Sequence, residues 1–269
     1  MQPKKEIAPM QENPCHHTDA FQTPINHRLT LLQQRNGLTF GTDAYLLYAY
    51  LRRRPRAIAA DFGSGSGVVS LLCAAADVYA KIHAVELQPA YSALVAQNAA
   101  DNALSDRITV HTADVRDLTV QQFGKPIDAV FSNPPYFLCT DGLQSPHESK
   151  AIARHANHGD IDAFCAAAGR ILKYGGLLTV VYVPRRLDAL CAALHENHFA
   201  LKRLTFVYPT ADHAPCLLLA EAKKSGAPGV YQTPPLILRC RDANGAWIDT
   251  KAHQYIYEHG VFPDVYFQP

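Results

Sequence analysis

"AIAADFGSGSGVVSLLCAAADVYA", residues 57–80, passes from an apolar β-like run through a glycine turn into an apolar helix-like run. AIAADF (57–62) reads as a strand and VVSLLCAAADVYA (68–80) as a helix, with Gly63, Gly65 and Gly67 between them. A flexible Gly/Ser linker would not sit so close to an apolar segment on either side. Glycines let the backbone turn tightly and approach a ligand. The helix N-terminus behind them offers unpaired N–H groups and positive partial charge. The unit is therefore expected to hold a cofactor.

The alternation continues downstream. KIHAVEL (81–87), RITVHTA (107–113), IDAVFS (127–132) and LLTVVYVP (177–184) read as strands. PAYSALVAQNAADNAL (89–104) reads as a helix with Pro89 in its first turn, and a second helix near 160–173 is expected to close at Gly175-Gly176. LKRLTFVYP (201–209) and CLLLAEAKK (216–224) are separated by only a turn, so they should pair antiparallel at the sheet edge. LILRCR and AWIDT flank Asn244-Gly245 as a closing hairpin before a short terminal helix. Upstream, TDAYLLYAYLRRR (42–54) predicts a helix capped by Thr42 or Asp43 and ended by Pro55. HRLTLLQQRNGLTFG (27–41) predicts a small hairpin turning at Asn36-Gly37. The fold class is α/β: a Rossmann-like, seven-stranded, mostly parallel sheet with an antiparallel edge strand and a small N-terminal hairpin. Residues 1–25 read as a flexible tail and 26–269 as a single domain. Ligands of such sheets bind at the carboxyl ends of the strands.

With 269 residues, 48% hydrophobic and 18% charged, the chain can bury a sizeable core. Its formal charge of +1 excludes a strong global field for a polyanion, so any nucleic-acid surface must be local. The seven cysteines have no C-x-x-C or zinc spacing and read as reduced, buried thiols. No signal peptide or run of about 18 apolar residues is found, so a cytoplasmic protein is expected, with no membrane partner. His16-His17 lie in the polar tail, without fixed geometry, and no metal is expected.

Three acids follow three successive strands: Asp61 beside the glycines, Glu86 at the end of HAVEL and Asp114 in HTADV. Glu86 lies where an acid can accept from both ribose hydroxyls of a nucleoside cofactor, and Asp114 could accept from an adenine amino group. The glycine spacing is G-x-G-x-G, whereas the dinucleotide fingerprint is G-x-G-x-x-G. The order D-x-G-x-G-x-G, E, A-D-V resembles the class I S-adenosylmethionine-dependent methyltransferases. That resemblance implies S-adenosylmethionine as cofactor.

A strand then stops in VFSNPPYF (130–137), whose Asn133, Pro134, Pro135 and Tyr136 fall at the carboxyl edge beside the glycine turn. Transferring a methyl group in line demands positioning of the acceptor lone pair, which can supply about 7–11 kcal/mol. A planar exocyclic NH2 is a poor nucleophile because its lone pair is delocalised. The Asn133 side-chain oxygen and the Pro134 carbonyl can accept its two N–H groups and free that lone pair, while Tyr136 stacks on the planar face. The motif is similar to the N-P-P-[YFW] of methyltransferases acting on adenine N6, guanine N2 or a glutamine amide, and does not choose among them.

Further stretches extend the likeness over about residues 28–258: LQQRNGLTFGTDAYLL, SKAIARHANH, AAGRILKYGGLLTVVYVPRRL and the 201–224 strand pair. Together they resemble the bacterial tRNA adenine-N6 methyltransferases that modify the adenosine beside the anticodon of a valine tRNA. This implies tRNA as partner, Gly41, Thr42 and Asp43 near the methionine end of the cofactor, and Arg154-His155 beside the acceptor or the RNA. Lys150, Arg154, Arg185 and Arg186 are candidate phosphate contacts. LRRRPR (51–56) is the densest basic cluster and falls at the rim opposite the glycine turn. The rivals are a glutamine-N5 methyltransferase of a translation factor, disfavoured by the short stretch before the first helix, and a ribosomal-RNA guanine-N2 enzyme. A cofactor-binding module without catalysis is disfavoured by the intact Asn133 and Pro134.

Overall fold

The computed structural model describes residues 20–26, 28–34, 41–134 and 161–267. A hairpin of β1 (Ala20–Pro24) and β2 (Thr30–Gln34) comes first, followed by α1 (Thr42–Tyr50). The alternating unit contains β3 (Arg54–Phe62), α2 (Val68–Ala75), β4 (Tyr79–Glu86), α3 (Pro89–Asp101), β5 (Ile108–Thr112) and β6 (Ile127–Ser132). Then come α4 (Ile161–Ile171), β7 (Leu172–Tyr182), α5 (Leu187–Glu196), β8 (Phe199–Tyr208) and β9 (Leu217–Lys224). Two-residue strands β10 (Tyr231–Gln232) and β11 (Leu236–Ile237) precede a hairpin of β12 (Arg239–Arg241) and β13 (Trp247–Asp249), and then α6 (Lys251–His259).

The sheet runs β8-β9-β7-β6-β3-β4-β5, parallel from β7 to β5, with β9 antiparallel to both neighbours. These are the seven expected strands. Each of β10 and β11 adds a short parallel pairing to β8, which makes nine. The chain steps outward from β3 to β5 and returns to β6 on the other side of β3. A crevice therefore opens at the carboxyl ends of β3 and β6, where the winding reverses. Both faces of the sheet are covered: Leu46, Leu71 and Val95 pack on one, Phe164, Ile171 and Leu190 on the other. This double burial explains why β3 and β6 read as continuous apolar runs.

The hairpin is present but differs from the one expected. Residues 20–24 form its first strand although the sequence placed them in a tail, and Asn36-Gly37 lies outside the described residues. β2 is held to α3 by two side chains that imitate a strand edge. Asn98 accepts from Leu32 N and donates to Leu32 O, at 2.7 and 3.0 Å, and Asn102 does the same to Thr30 at 3.0 and 2.8 Å.

Other boundaries moved for identifiable reasons. α4 ends at Ile171, and Gly175-Gly176 lie inside β7, where Gly175 (φ +70°) serves a bulge between the pairs Ile127↔Leu172 and Ala129↔Leu177. α2 stops at Ala75 because Asp77 turns the chain at φ +52°, which releases Tyr79 and Ala80 to β4. α1 is capped by Gly41 rather than by Thr42 or Asp43. Among the described cysteines only Cys73 and Cys165 are buried; Cys191 on α5, Cys216 just ahead of β9 and Cys240 in the β12–β13 hairpin are exposed.

At the β8 end of the sheet, Arg203 is 1% exposed. Its guanidinium donates to Glu221 (3.1 Å), Tyr50 O (2.6 Å) and Tyr266 O (3.3 Å), and lies 3.6 Å from the Tyr50 ring centroid and 4.3 Å from that of Phe267. Arg52 adds a second cation to Glu221 at 2.8 Å.

Candidate active site

β3 and β6 end together: Phe62 pairs with Ser132, whose hydroxyl donates to Phe62 O at 2.7 Å. The next residues on the two strands, Gly63 and Asn133, therefore leave the sheet side by side. The glycine turn is pinned to β4, because the N–H groups of Gly63 and Ser64 both donate to Val85 O (2.9 and 3.1 Å), and it closes with Gly67 N donating to Ser64 O at 2.8 Å.

The three glycines have φ values of +69°, +54° and +83°, conformations that side-chain-bearing residues adopt at a cost. They serve different ends. A Cβ on Gly67 would stand 2.9 Å from Val95 Cγ1, so this glycine lets α2 approach α3. Nothing lies within 4 Å of a Cβ on Gly65, so that side of the turn is open to a ligand. The Ser64 hydroxyl, in the same turn, is buried with no hydrogen-bond partner among the described residues.

The acids brace this turn. Asp61 is buried and accepts from Ser70 Oγ at 2.7 Å. Burial pushes its carboxyl up to about 7, against the opposing pull of the Ser70 hydrogen bond. Glu86 accepts from Gly65 N through Oε2 and from Gln88 N through Oε1, both at 2.9 Å. Each carboxylate oxygen keeps a further lone pair for a ligand hydroxyl. Asp114 caps the short turn after β5 by accepting from Arg116 N at 2.9 Å, and it also takes the Arg116 guanidinium at 2.6 Å. An amino group approaching Asp114 would therefore share it with Arg116.

Across the crevice, Thr42 opens α1 and Asp43 lies in its first turn. Asp43 Oδ1 accepts from Ala44 N, and Oδ2 accepts from Asn133 Nδ2, both at 2.9 Å. With its nitrogen committed to Asp43, the Asn133 amide has its oxygen on the opposite side.

The structure thus gathers Asp43, Asp61, Gly63, Gly65, Gly67, Glu86 and Asn133, with buried Pro134, on one rim. Asp114 stands beyond β4, at the end of β5. Arg185 and Arg186 follow β7 at the same rim, with Arg186 6.0 Å from the Tyr182 ring centroid. Pro135, Tyr136, Lys150, Arg154 and His155 lie outside the described residues. Sequence reading missed Ser64, Ser70 and Ser132 as site-forming groups. The interleaving of serine with glycine in 63–67 was the available signal for Ser64. It also missed the pairing of Asp43 with Asn133. Among the described residues no group of three or more His, Cys, Asp or Glu side chains could hold a metal ion, and no helix is long and apolar enough to cross a membrane.

Comparison with known proteins gives a consistent result. Residues 35–190 match the family model of the methyltransferase small domain. The chain is 29% identical over 198 residues to the tRNA1(Val) (adenine(37)-N6)-methyltransferase of Phocaeicola vulgatus, covering 74% of this chain and 82% of that one. To the protein of the same description from Aliivibrio fischeri it is 28% identical over 210 residues, covering 78% and 86%. Its fold is similar to the crystal structure of a predicted O-methyltransferase from Agrobacterium tumefaciens, with a TM-score of 0.65 at 22% identity, covering 82% of this chain and 98% of that one.

Proposed function

Because the chain belongs to the methyltransferase small domain family, we propose that it methylates the N6 amino group of an adenosine in tRNA with S-adenosylmethionine. The observation that carries the reading is the Asn133 amide, whose nitrogen donates to Asp43 beside the glycine turn. The residues fit the cofactor: a turn open at Gly65, an unpartnered Ser64 hydroxyl and the Glu86 carboxylate offer donors and an acceptor to a polar, hydroxyl-bearing ligand. When bound, S-adenosylmethionine supplies an electrophilic methyl group on a sulfonium.

The chain's own residues then position the acceptor. Asn133 Oδ1 and the Pro134 carbonyl each accept one N–H of the amino group, drawing its nitrogen towards a tetrahedral geometry. A nitrogen held in this way would have its lone pair available to the methyl group that the cofactor would supply, and would afterwards shed one proton to solvent. No side chain need act as a base before that proton leaves. Tyr136 provides the stacking face, and Lys150, Arg154, His155, Arg185 and Arg186 meet the RNA. Thr42 and Asp43 border the cofactor's methionine end, and Asp114 meets its adenine. An adenosine in a tRNA loop is single-stranded, so it can be splayed into such a pocket at little cost. The names of the two relatives favour adenine over guanine or glutamine as acceptor.

Tritium transfer from labelled cofactor to bulk tRNA, ribosomal RNA and total protein tests the reading. Label recovered as N6-methyladenosine in tRNA is expected. Label in glutamine or in N2-methylguanosine would replace the acceptor, and no label with intact cofactor binding would remove catalysis.

A further inference from the structure

The rim opposite the active site carries a surface that methyl transfer does not use. Arg53, Arg54 and Arg56 stand where β3 begins, and among the described residues none of their side chains has a hydrogen bond or an ion pair to a carboxylate. Arg54 and Arg56, with Pro55, Ala57 and Asp128, line a hollow of about 370 Å³. Neighbouring strands bring further cations to this edge: Lys81 near the start of β4, Lys125 just ahead of β6 and Lys173 near the start of β7.

Two of the acids nearby, Asp128 and Asp77, are already engaged. Asp128 is ion-paired with Lys173 and accepts from Ile58 N, and these contacts hold its carboxyl below the usual range against the opposing effect of burial. Asp77 is paired with Arg107 at 2.9 Å. The carboxyl rim, by contrast, carries Asp43, Asp61, Glu86 and Asp114. Among the described residues, the rim where β3 begins is therefore rich in cations despite a net charge of only +1.

The guanidiniums of Arg54 and Arg56 at a concave surface, with exposed Arg53 next in the chain, suit phosphate oxygens, which guanidiniums can grip in bidentate fashion. We propose that this rim docks the phosphate backbone of the RNA substrate at a place remote from the methylated nucleoside, an inference that rests on the tRNA reading above. Arg54 and Phe62 are eight residues apart on one strand, about 26 Å at 3.3 Å per residue. An RNA reaches both rims only if its backbone extends about this far from the nucleoside in the crevice, so a whole tRNA offers this surface more phosphates than its isolated stem-loop does.

The test compares an unmodified valine tRNA transcript with its excised anticodon stem-loop, using the full chain. The variant Arg53→Gln/Arg54→Gln/Arg56→Gln should bind the transcript about tenfold or more weakly. Its log-affinity against log-salt slope should be shallower by about 2–3, close to one per lost phosphate contact. Affinity for the stem-loop should follow the wild type. Arg56→Glu, a single reversal at an exposed site, should weaken transcript binding more than Arg56→Gln. Thermal unfolding of each variant reports that the fold is retained. Equal affinity and slope for variant and wild type on the transcript would overturn the proposal, as would an equal loss on the stem-loop, which would place the contact at the crevice. If the tRNA reading itself were wrong, wild-type protein would bind and methylate neither RNA, a result distinct from both.

Discussion

Removing the Asp43 carboxylate should separate two roles that lie within one side chain of each other. Asp43 holds the Asn133 amide nitrogen at 2.9 Å and accepts from Ala44 N with its other oxygen. A hydrogen bond to a charged acceptor contributes about 1.5–3 kcal/mol. If that energy fixes the amide oxygen for the reacting amino group, Asp43→Ala lowers kcat by about 10–100-fold, since each 1.4 kcal/mol is a factor of ten. Loss of an acid from the first turn of α1 costs a further 0.3–1 kcal/mol or so of stability, too little to unfold a domain of this size. Asp43→Asn keeps one carbonyl oxygen for Asn133 and should recover most of the rate. The assay is single-turnover methylation of the stem-loop at saturating cofactor, with cofactor affinity measured separately by calorimetry. A rate equal to wild type at saturation, with cofactor affinity reduced by one to two orders of magnitude, would refute the argument and return Asp43 to the cofactor alone.

The two glycines of the turn should fail differently. Gly67→Ala meets Val95 at 2.9 Å in a left-handed backbone and should cost about 2–4 kcal/mol in urea unfolding. Gly65→Ala, with open space around it, should cost about 1 kcal/mol yet lose most cofactor affinity; intact affinity would mean the ligand lies elsewhere. Asn98→Ala removes bonds to Leu32 N, Leu32 O and Ser66 O and should destabilise by about 2–4 kcal/mol, with hydrogen exchange at Leu32 accelerated first. The folded Asp61 carboxyl is raised to about 7, above its unfolded value of 3.8, so its contribution to stability is full below about pH 4 and is lost as pH rises through 7. Asp61→Asn should therefore gain stability relative to wild type at pH 8 and not at pH 4, in paired denaturation curves, and a pH-independent difference would contradict the burial argument.

Much of this architecture is local in the sequence, and that part was legible. Gly63, Gly65 and Gly67 between two apolar runs place the turn, and IDAVFS before Asn133 places the opposite lip of the crevice, because strand and helix periods act within a few residues. Contacts set by tertiary approach were not legible. Asp43 and Asn133 are 90 positions apart, and nothing in TDAYLL or SNPP names the other as partner. Asn36-Gly37 drew the hairpin turn because that dipeptide favours it locally. The strand that β2 pairs with lies on its other side, and Asn98 and Asn102, far along the chain, supply β2 with its second edge. Gly175-Gly176 misled: a positive φ ends helices, but it also absorbs the extra residues of a bulge, and only the register across β6 and β7 distinguishes the two.

The grip of Arg203 on Tyr266 and Phe267 ties the far end of the chain to the sheet. The guanidinium loses its water only when residues made 63 positions later arrive over it. A nascent or proteolytically shortened chain lacking that stretch would present a wet charge against Tyr50 where the finished protein has a dry aromatic sandwich. Residues 266–267 thus complete the cover over a charge laid down far earlier in the chain, and their removal should lower the stability of the whole domain.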